Sequence, residues 1–451
     1  MKKILFILVI LPTLVFSQCW QYVDVGANHT LAIRNDGTLW SWGSNNYIKL
    51  GYATSSGINP NPKMVGTSTN WHSVSAGEWH SAGIKTDGTL WTWGANYYGQ
   101  VGQGTSGIQF ASVSTPTQVG SDTNWQSVSI GVDYTLAIKN DGTLWGIGLN
   151  TSGQLGIGNT SNVSLPIQIG TSNIWKKVSG NSGYSIGLKT DGTLWSWGSG
   201  YLGNVGYGTS NIPIQIGNET NWFEISSSGT FAIKNDNSLW TWGVNSSGQL
   251  GDGTYITRET PIQVGTDTNW LKVSSYYDHT LGIKTNNTLW VWGINNYGQL
   301  GDGTFISKIS PIQIETETNW ISTTTGEYFS IAIKSDGKLF SWGRNYDGRL
   351  GNGTTIDLNI PTQVICTALN SNSFIDKSFS IYPNPTNEIL FIENNLYIPI
   401  DKIVLTDLSG KIILEEKGNF SEINIGNIES GIYILNINSE NKVYNYKIVK
   451  K

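Results

Sequence analysis

The chain has 451 residues, with 54 glycines and 20 tryptophans but only 27 basic and 32 acidic side chains. Aromatics at 12% against charged residues at 13% reverse the balance of a disordered chain, and glycine without a three-residue period excludes collagen. A net charge of -5 leaves no basic footprint for nucleic acid, so many short strands joined by tight turns are expected.

The chain opens with Lys2 and Lys3, an apolar run from Ile4 to Phe16, then Ser17 and Gln18. Residues 1–18 thus read as a secretory signal peptide, because about 13 apolar residues are too few to cross a bilayer. Gln18 is not the small residue that lipoprotein cleavage before Cys19 would need. With no other long apolar stretch, the mature chain is expected to be exported without a transmembrane segment.

Seven units follow, led by Trp20, Trp71, Trp125, Trp175, Trp222, Trp270 and Trp320, at spacings of 47 to 54 residues. A basic residue lies 14 positions after the leading tryptophan in six units, from Arg34 to Lys334; in unit five Lys234 lies only 12 after Trp222. Six positions further comes an aromatic (Trp40, Trp91, Trp145, Trp195, Trp240, Trp290, Phe340), then a glycine three later and another eight after that. Each internal connector runs nine residues from a proline to the next leading tryptophan, as from Pro116 to Trp125. Residues 135–145 read as a hairpin, with Asp-Gly expected to form a type I′ turn. Trp40 and Trp42, two apart on a strand, face one side and suit packing between sheets. Units of about 50 residues with some four short strands stack radially, and seven units predict a seven-bladed β-propeller.

Residues 87–102 (D-G-T-L-W-T-W-G-A-N-Y-Y-G-Q-V-G), 191–195 (D-G-T-L-W) and 243–254 (G-x-N-x-x-G-Q-L-G-D-G-T) resemble repeats of the regulator of chromosome condensation family. The resemblance covers residues 19–366 and implies the same seven-bladed propeller. Unit one departs at Ile48 and Lys49, where others have Gly-Gln, and unit three has Ile147 for its second tryptophan. The family's best-known member is a nuclear exchange factor for the Ran GTPase; that activity is not expected of an exported chain. Cys19 and Cys366 fall at neighbouring registers once the ring closes, which predicts a disulfide stapling the first unit to the last.

After Cys366 the period and the tryptophans stop, and residues 367–377 read as a polar linker. Residues 378–451 alternate short strands with Ser-Gly turns, indicating a small immunoglobulin-like β-sandwich. Tyr382-Pro383-Asn384-Pro385, the Asp407-Leu408-Ser409-Gly410-Lys411 hairpin, Gly431-Ile432-Tyr433 and the basic terminus resemble the type A C-terminal sorting domain of type IX secretion cargo. The resemblance implies engagement of that secretion machinery and a final place outside a Gram-negative cell, secreted or attached to its outer surface.

Catalytic signals are nearly absent. There is no P-loop, no H-E-x-x-H and no C-x-x-C, and four histidines with two cysteines do not supply a typical zinc site. Gly183-Tyr184-Ser185-Ile186-Gly187 matches G-x-S-x-G but sits in a strand register without a strand-to-helix elbow. The G-x-G-x-x-G matches at 198–203 and 102–107 precede no helix. His29, His80 and His279 share a register with Tyr134, Tyr184 and Phe329, which argues for packing. No catalytic residue, cofactor or metal is expected.

What remains is a binding surface. Length varies between the last glycine of each unit and its proline, and variable loops on a rigid frame are where recognition sits. Neighbouring loops carry Tyr47, Tyr97, Tyr98, Tyr201, Tyr297 and Tyr346, with Phe110 in the longest loop, and tyrosine gives large contact at low entropic cost. The expected function is therefore a non-catalytic binding propeller that recognises a protein through its blade loops. A glycan-binding propeller is the alternative, and an enzyme of polysaccharide turnover with acids near the axis comes third.

Overall fold

The structure, a computed structural model, describes residues 19–54, 56–107, 112–199, 208–226, 230–366, 379–394, 399–407, 411–418, 421–439 and 442–451. The expected signal peptide and linker, and the candidate site residues Phe110 and Tyr201, lie outside them. The chain divides into two compact units, the first ending at Cys366.

In the first unit every repeat folds as one antiparallel four-stranded sheet whose strands pair in chain order, so no strand is lent to a neighbouring blade. The first blade holds Trp20–Val25, His29–Arg34, Leu39–Ser44 and Ile58–Met64. Seven such sheets form a seven-bladed propeller with the first strands innermost, and Trp20–Val25 beside Trp320–Gly326 closes the ring. The outermost strand of every blade contains proline, as Pro261 in Arg258–Gln263, which removes an N–H from the exposed edge and discourages edge-to-edge pairing.

The turn between second and third strands differs from the type I′ expectation. Gly37 adopts φ 75° while Asp36 stays out of the left-handed region; Gly37 N donates to Arg34 O and Arg34 N to Thr38 O. The loop is thus three residues long, a type I turn closed by one left-handed residue. Asn237 and Asn287, each at φ 60°, take the glycine's place in blades five and six. The aspartate serves a second purpose: Asp36 Oδ1 accepts from Thr38 N at 3.0 Å and Thr38 Oγ1 at 2.6 Å, and Trp40 Nε1 donates to Thr38 Oγ1 at 2.8 Å. The same relay runs from Asp191 through Thr193 to Trp195 and from Asp236 through Ser238 to Trp240. In blade seven Phe340 has no N–H to satisfy, and Lys338 stands where the threonine would be.

The basic residue at the fixed register lies between the two tryptophans of its own blade. Lys284 Nζ is 4.8 Å from the Trp270 ring centroid and 3.6 Å from that of Trp290, and it pairs with Asp267 at 2.6 Å. Lys234 keeps the same 4.8 and 3.6 Å over Trp222 and Trp240, because the shortening of unit five falls between two four-residue strands, Trp222–Ile225 and Phe231–Lys234.

Blades are joined by a main-chain bond from each leading tryptophan to the turn of the preceding blade, as Trp71 N to Gly37 O at 3.0 Å, and through a backbone carbonyl in the third-to-fourth-strand loop. Gln299 O accepts Ser330 Oγ at 2.7 Å and Trp342 Nε1 at 2.9 Å from the next blade. Gln249 O does the same for Thr280 and Trp292, and Gln154 O for Ser185 and Trp197. The ring closes by the same contact, with Arg349 O accepting Thr30 Oγ1 at 3.1 Å and Trp42 Nε1 at 3.0 Å. A Cβ at Gly351, already at φ 70°, would fall 2.5 Å from Trp42 Nε1, so the glycine two residues after the carbonyl is required. Cys19 and Cys366 are paired across this closure, their Cα atoms 6.1 Å apart.

The innermost strands are edge strands facing an axial channel of about 510 Å³. Their N–H groups are capped by side chains of the preceding blade: Ile130 N by Ser75 Oγ, Gly180 N by Ser129 Oγ and Thr325 N by Ser274 Oγ, each at 3.1 Å. At the first blade the cap is a carboxylate, with Asp24 accepting Ala76 N at 3.0 Å and Thr324 Oγ1 at 3.2 Å.

The second unit is a β-sandwich. One sheet holds Phe379–Tyr382, Ile389–Asn394 and Glu422–Asn424; the other holds Ile412–Lys417, Lys402–Asp407, Gly431–Ser439 and Lys442–Lys450. Leu390, Ile392, Ile403, Leu405, Leu435, Ile437 and Ile448 are buried between them.

Two outcomes are expected from this frame. The oxidised chain, unfolded in denaturant, should show no reactive thiol, and Cys19→Ser with Cys366→Ser should lower stability by about 3–5 kcal/mol; two titratable thiols would remove the staple. Burial pushes the Asp24 carboxyl up to about 6. The fold therefore holds that proton more tightly than the unfolded chain, where aspartate titrates near ~4, and stability falls as pH rises from about 4 through 6. Asp24→Ser retains an acceptor for Ala76 N–H, so it should raise the melting temperature at pH 8 and far less at pH 4.5; equal gains at both would contradict this.

Candidate functional site

In an antiparallel blade the loop joining the first two strands (inner loop) and the loop joining the last two (outer loop) emerge at the same end. The inner loops ring the mouth of the axial channel, and the outer loops surround them. The candidate tyrosines belong to the outer loops, and the structure gathers those it describes into two clusters on either side of the blade seven–blade one seam.

On one side, Tyr47 of blade one stands edge-to-face with Trp79 of blade two and with Tyr97, each at 5.4 Å between centroids, and Tyr97 meets Tyr98 at 6.5 Å. Tyr98 is exposed, its backbone N–H held by Gln100 Oε1 at 2.9 Å. The departure of unit one appears here as strain, since Tyr47 and Ile48 adopt φ 60° and 59° where other blades place glycine at the second position. A β-branched residue in the left-handed region is held there only by its surroundings.

On the other side, Tyr297 of blade six lies 5.2 Å from Tyr328 of blade seven. The Arg344 guanidinium stands over Tyr297, Tyr328 and Tyr346 at 4.7, 5.6 and 4.5 Å. Tyr346 is 55% exposed.

Two buried cations tie the loops between the clusters. At the register where blades two, three, five and six have glutamine, Lys49 Nζ donates to Asn28 Oδ1 at 2.5 Å and Glu78 O at 2.8 Å, and burial lowers its ammonium to about 7. Arg349 forms a bidentate pair with Asp347, both bonds at 2.7 Å, and donates to Ala27 O and Glu327 O. The inner loops around them carry acids. Burial raises the carboxyls of Glu78 and Asp278 and pushes Asp133 up to about 6, with the Glu78 charge adding to the last. Tyr276 and Tyr277, 4.6 Å apart, close part of the channel mouth.

Trp79, Tyr328, Tyr277 and the acids Glu78, Glu327 and Asp278 escaped the sequence reading. Their signal was the variable stretch seven or eight residues after each leading tryptophan, flanked by fixed positions and too short to stand out as a length change. Ser185 of the G-x-S-x-G match is buried on a strand, donating to Gln154 O at 2.8 Å, and offers no exposed nucleophile. His29, His80 and His279 are buried and bond Ser81, Thr135 and Ser330 of the following blade. Among the described residues no group of three or more His, Cys, Asp or Glu could hold a metal ion, and no helix is long and apolar enough to cross a membrane. The arrangement presents aromatic rings, one stacked guanidinium and an acidic channel rim on one rigid face.

Comparison with known proteins places this frame. The RCC1-like domain model matches residues 11–281, regulator of chromosome condensation (RCC1) repeats match 286–333 and 336–379, and a secretion system C-terminal sorting domain matches 380–451. The ultraviolet-B receptor UVR8 of Arabidopsis thaliana is 32% identical over 138 residues, 30% of this chain and 31% of the receptor. A protein RCC2 homolog of Danio rerio is 32% identical over 135 residues, 29% of this chain and 26% of that protein. The matches thus span about a third or less of these curated relatives. Human WBSCR16 superposes with a TM-score of 0.66 at 21% identity, over 73% of this chain and 95% of its own. Prp20p from Saccharomyces cerevisiae gives 0.66 at 18%, over 81% and 90%; both likenesses are of fold alone. The chain carries a secretion sorting domain at its C-terminus, and by the repeats that fill the rest it belongs to the RCC1-like domain family.

Proposed function

We propose that the chain is an exported, non-catalytic binding propeller, released from or held on the outer surface of a Gram-negative cell, which recognises a protein partner through the aromatic clusters flanking its seam. The sorting domain supports export and would engage the secretion machinery. The observation that carries the binding reading is the convergence of Tyr47, Trp79, Tyr97 and Tyr98 on one side and Tyr297, Tyr328, Arg344 and Tyr346 on the other, drawn from inner and outer loops of four consecutive blades. Tyrosine, tryptophan and arginine in a rigid cluster are the composition of interface hot spots. Strain at Ile48 and two cations in a glutamine register mark the same loops as departures from what the fold alone requires.

The oxidised full chain, immobilised, should capture a specific protein from cell-envelope or culture fractions. Tyr98→Ala and Tyr346→Ala, both at exposed rings, should each weaken that complex by about 1–2 kcal/mol, or five- to thirtyfold in Kd, with the melting temperature unchanged. Capture that survives protease treatment of the bait but not glycosidase treatment would contradict the protein reading and favour a glycan.

A further inference from the structure

Of the four arginines in the chain, three have defined structural partners. Arg34, over Trp20 and Trp40, fills the basic register that every blade shares, Arg258 pairs with Asp252 at 2.6 Å, and Arg349 forms its bidentate pair with Asp347. Arg344 is different. Its backbone N–H is fixed to Tyr328 O at 2.9 Å, and its guanidinium is surrounded by the rings of Tyr297, Tyr328 and Tyr346, yet among the described residues it donates no side-chain hydrogen bond and pairs with no carboxylate. The fold does not call for it: the same register holds Ser44, Ala95, Leu149, Ser199, Val244 and Ile294 in the other six blades.

Resting on the binding reading above, we propose that Arg344 is the anchor of the recognition face and receives an aspartate or glutamate carboxylate of the protein partner. Three rings hold the side chain in place, so little conformational freedom remains to be lost on binding. They neutralise none of its charge with a counter-ion, and its planar fork of N–H donors matches a carboxylate in bidentate geometry. The same two outer loops expose Phe305, Ile306 and Ile356 at 59%, 65% and 69%. Exposed apolar side chains on the loops that carry the charged fork suit a protein surface, where an acidic side chain lies among apolar neighbours. Aliphatic side chains such as Ile306 and Ile356 give a sugar ring neither a stacking face nor a hydrogen bond.

The oxidised full chain would be screened against a displayed library of random 12-residue peptides, and the affinities of selected peptides measured. The expected peptides carry Asp or Glu beside apolar residues. Replacing that acid by its amide should weaken binding about thirtyfold, Arg344→Gln should weaken it equally, and the two changes together should cost no more than either alone. Arg344→Lys should restore part of the loss, because a point charge cannot reproduce the fork. Selected peptides without an acid, additive losses, or unchanged affinity in Arg344→Gln would overturn the inference. So would Arg344-dependent retention of polygalacturonate, which would assign the fork to an acidic glycan. Peptide binding lost with Phe305→Ala and Ile306→Ala but indifferent to Arg344→Gln would sink the anchor while leaving the protein-binding reading intact. Failure to select any peptide, together with failure to capture any protein, would remove both.

Discussion

The propeller depends on backbone groups that recur at its blade boundaries: the N–H of each leading tryptophan, donated to the turn of the preceding blade, and a carbonyl in the third-to-fourth-strand loop. Because each sheet is made wholly from its own repeat, no strand ladder crosses a blade boundary, and the main chain links neighbours only by isolated bonds such as Trp71 N to Gly37 O at 3.0 Å. At the boundaries where the next blade carries the second tryptophan and the loop is described, the carbonyl of the residue before the recurring Leu accepts both a hydroxyl and an indole N–H from that blade; at blade three, where Ile147 replaces the indole, Gln100 O accepts Thr135 Oγ1 alone. Each such bond contributes about 1 kcal/mol net, but leaving the buried carbonyl unmet costs more, so the contact acts as a geometric requirement. It fixes the rotation between blades, and the tryptophan that makes it also fills the space between sheets. Closure at Arg349 reuses this contact without modification, which makes the seam equivalent in structure to the other boundaries.

Equivalent in frame, the seam differs in its loops. Lys49 and Arg349 occupy a register otherwise held by glutamine in blades two, three, five and six, and each reaches into the inner loops of two blades. Burying cations costs solvation, and Lys49 answers by a lowered pKa, Arg349 by a full bidentate pair. Ile48 adds backbone strain at the same place. Ile48, Lys49 and Arg349 are thus departures from the repeat that lie in the loops between the aromatic clusters.

The blades were readable because the tryptophan, glycine and proline registers are each imposed by a contact that recurs unchanged, such as Gly351 against Trp42. Exceptions carried information as well: Phe340 with Lys338 keeps consistency by removing the indole and its acceptor together. The turn type is not legible in the sequence, because Asn-Asp-Gly contains the Asp-Gly pair of a two-residue turn while the hydrogen bonds place three residues in the loop. The tyrosines of the outer loops could be found by composition, and Tyr47, Tyr97, Tyr98, Tyr297 and Tyr346 do share one face. Their partners Trp79 and Tyr328 could not, since only the three-dimensional course of the ring brings the inner loop of one blade against the outer loop of the one before. The role of Arg344 was likewise hidden, because stacking across two blades leaves no mark in spacing.

Hydrogen exchange of the full chain, alone and with its captured protein partner, tests the account most directly. Slowed exchange should be confined to inner and outer loops of blades six, seven, one and two, around residues 27–28, 46–49, 77–79, 97–100, 296–299, 327–328 and 344–349. Protection at the connectors on the opposite face, or along the outermost strands, would contradict the assignment of the seam as the recognition surface.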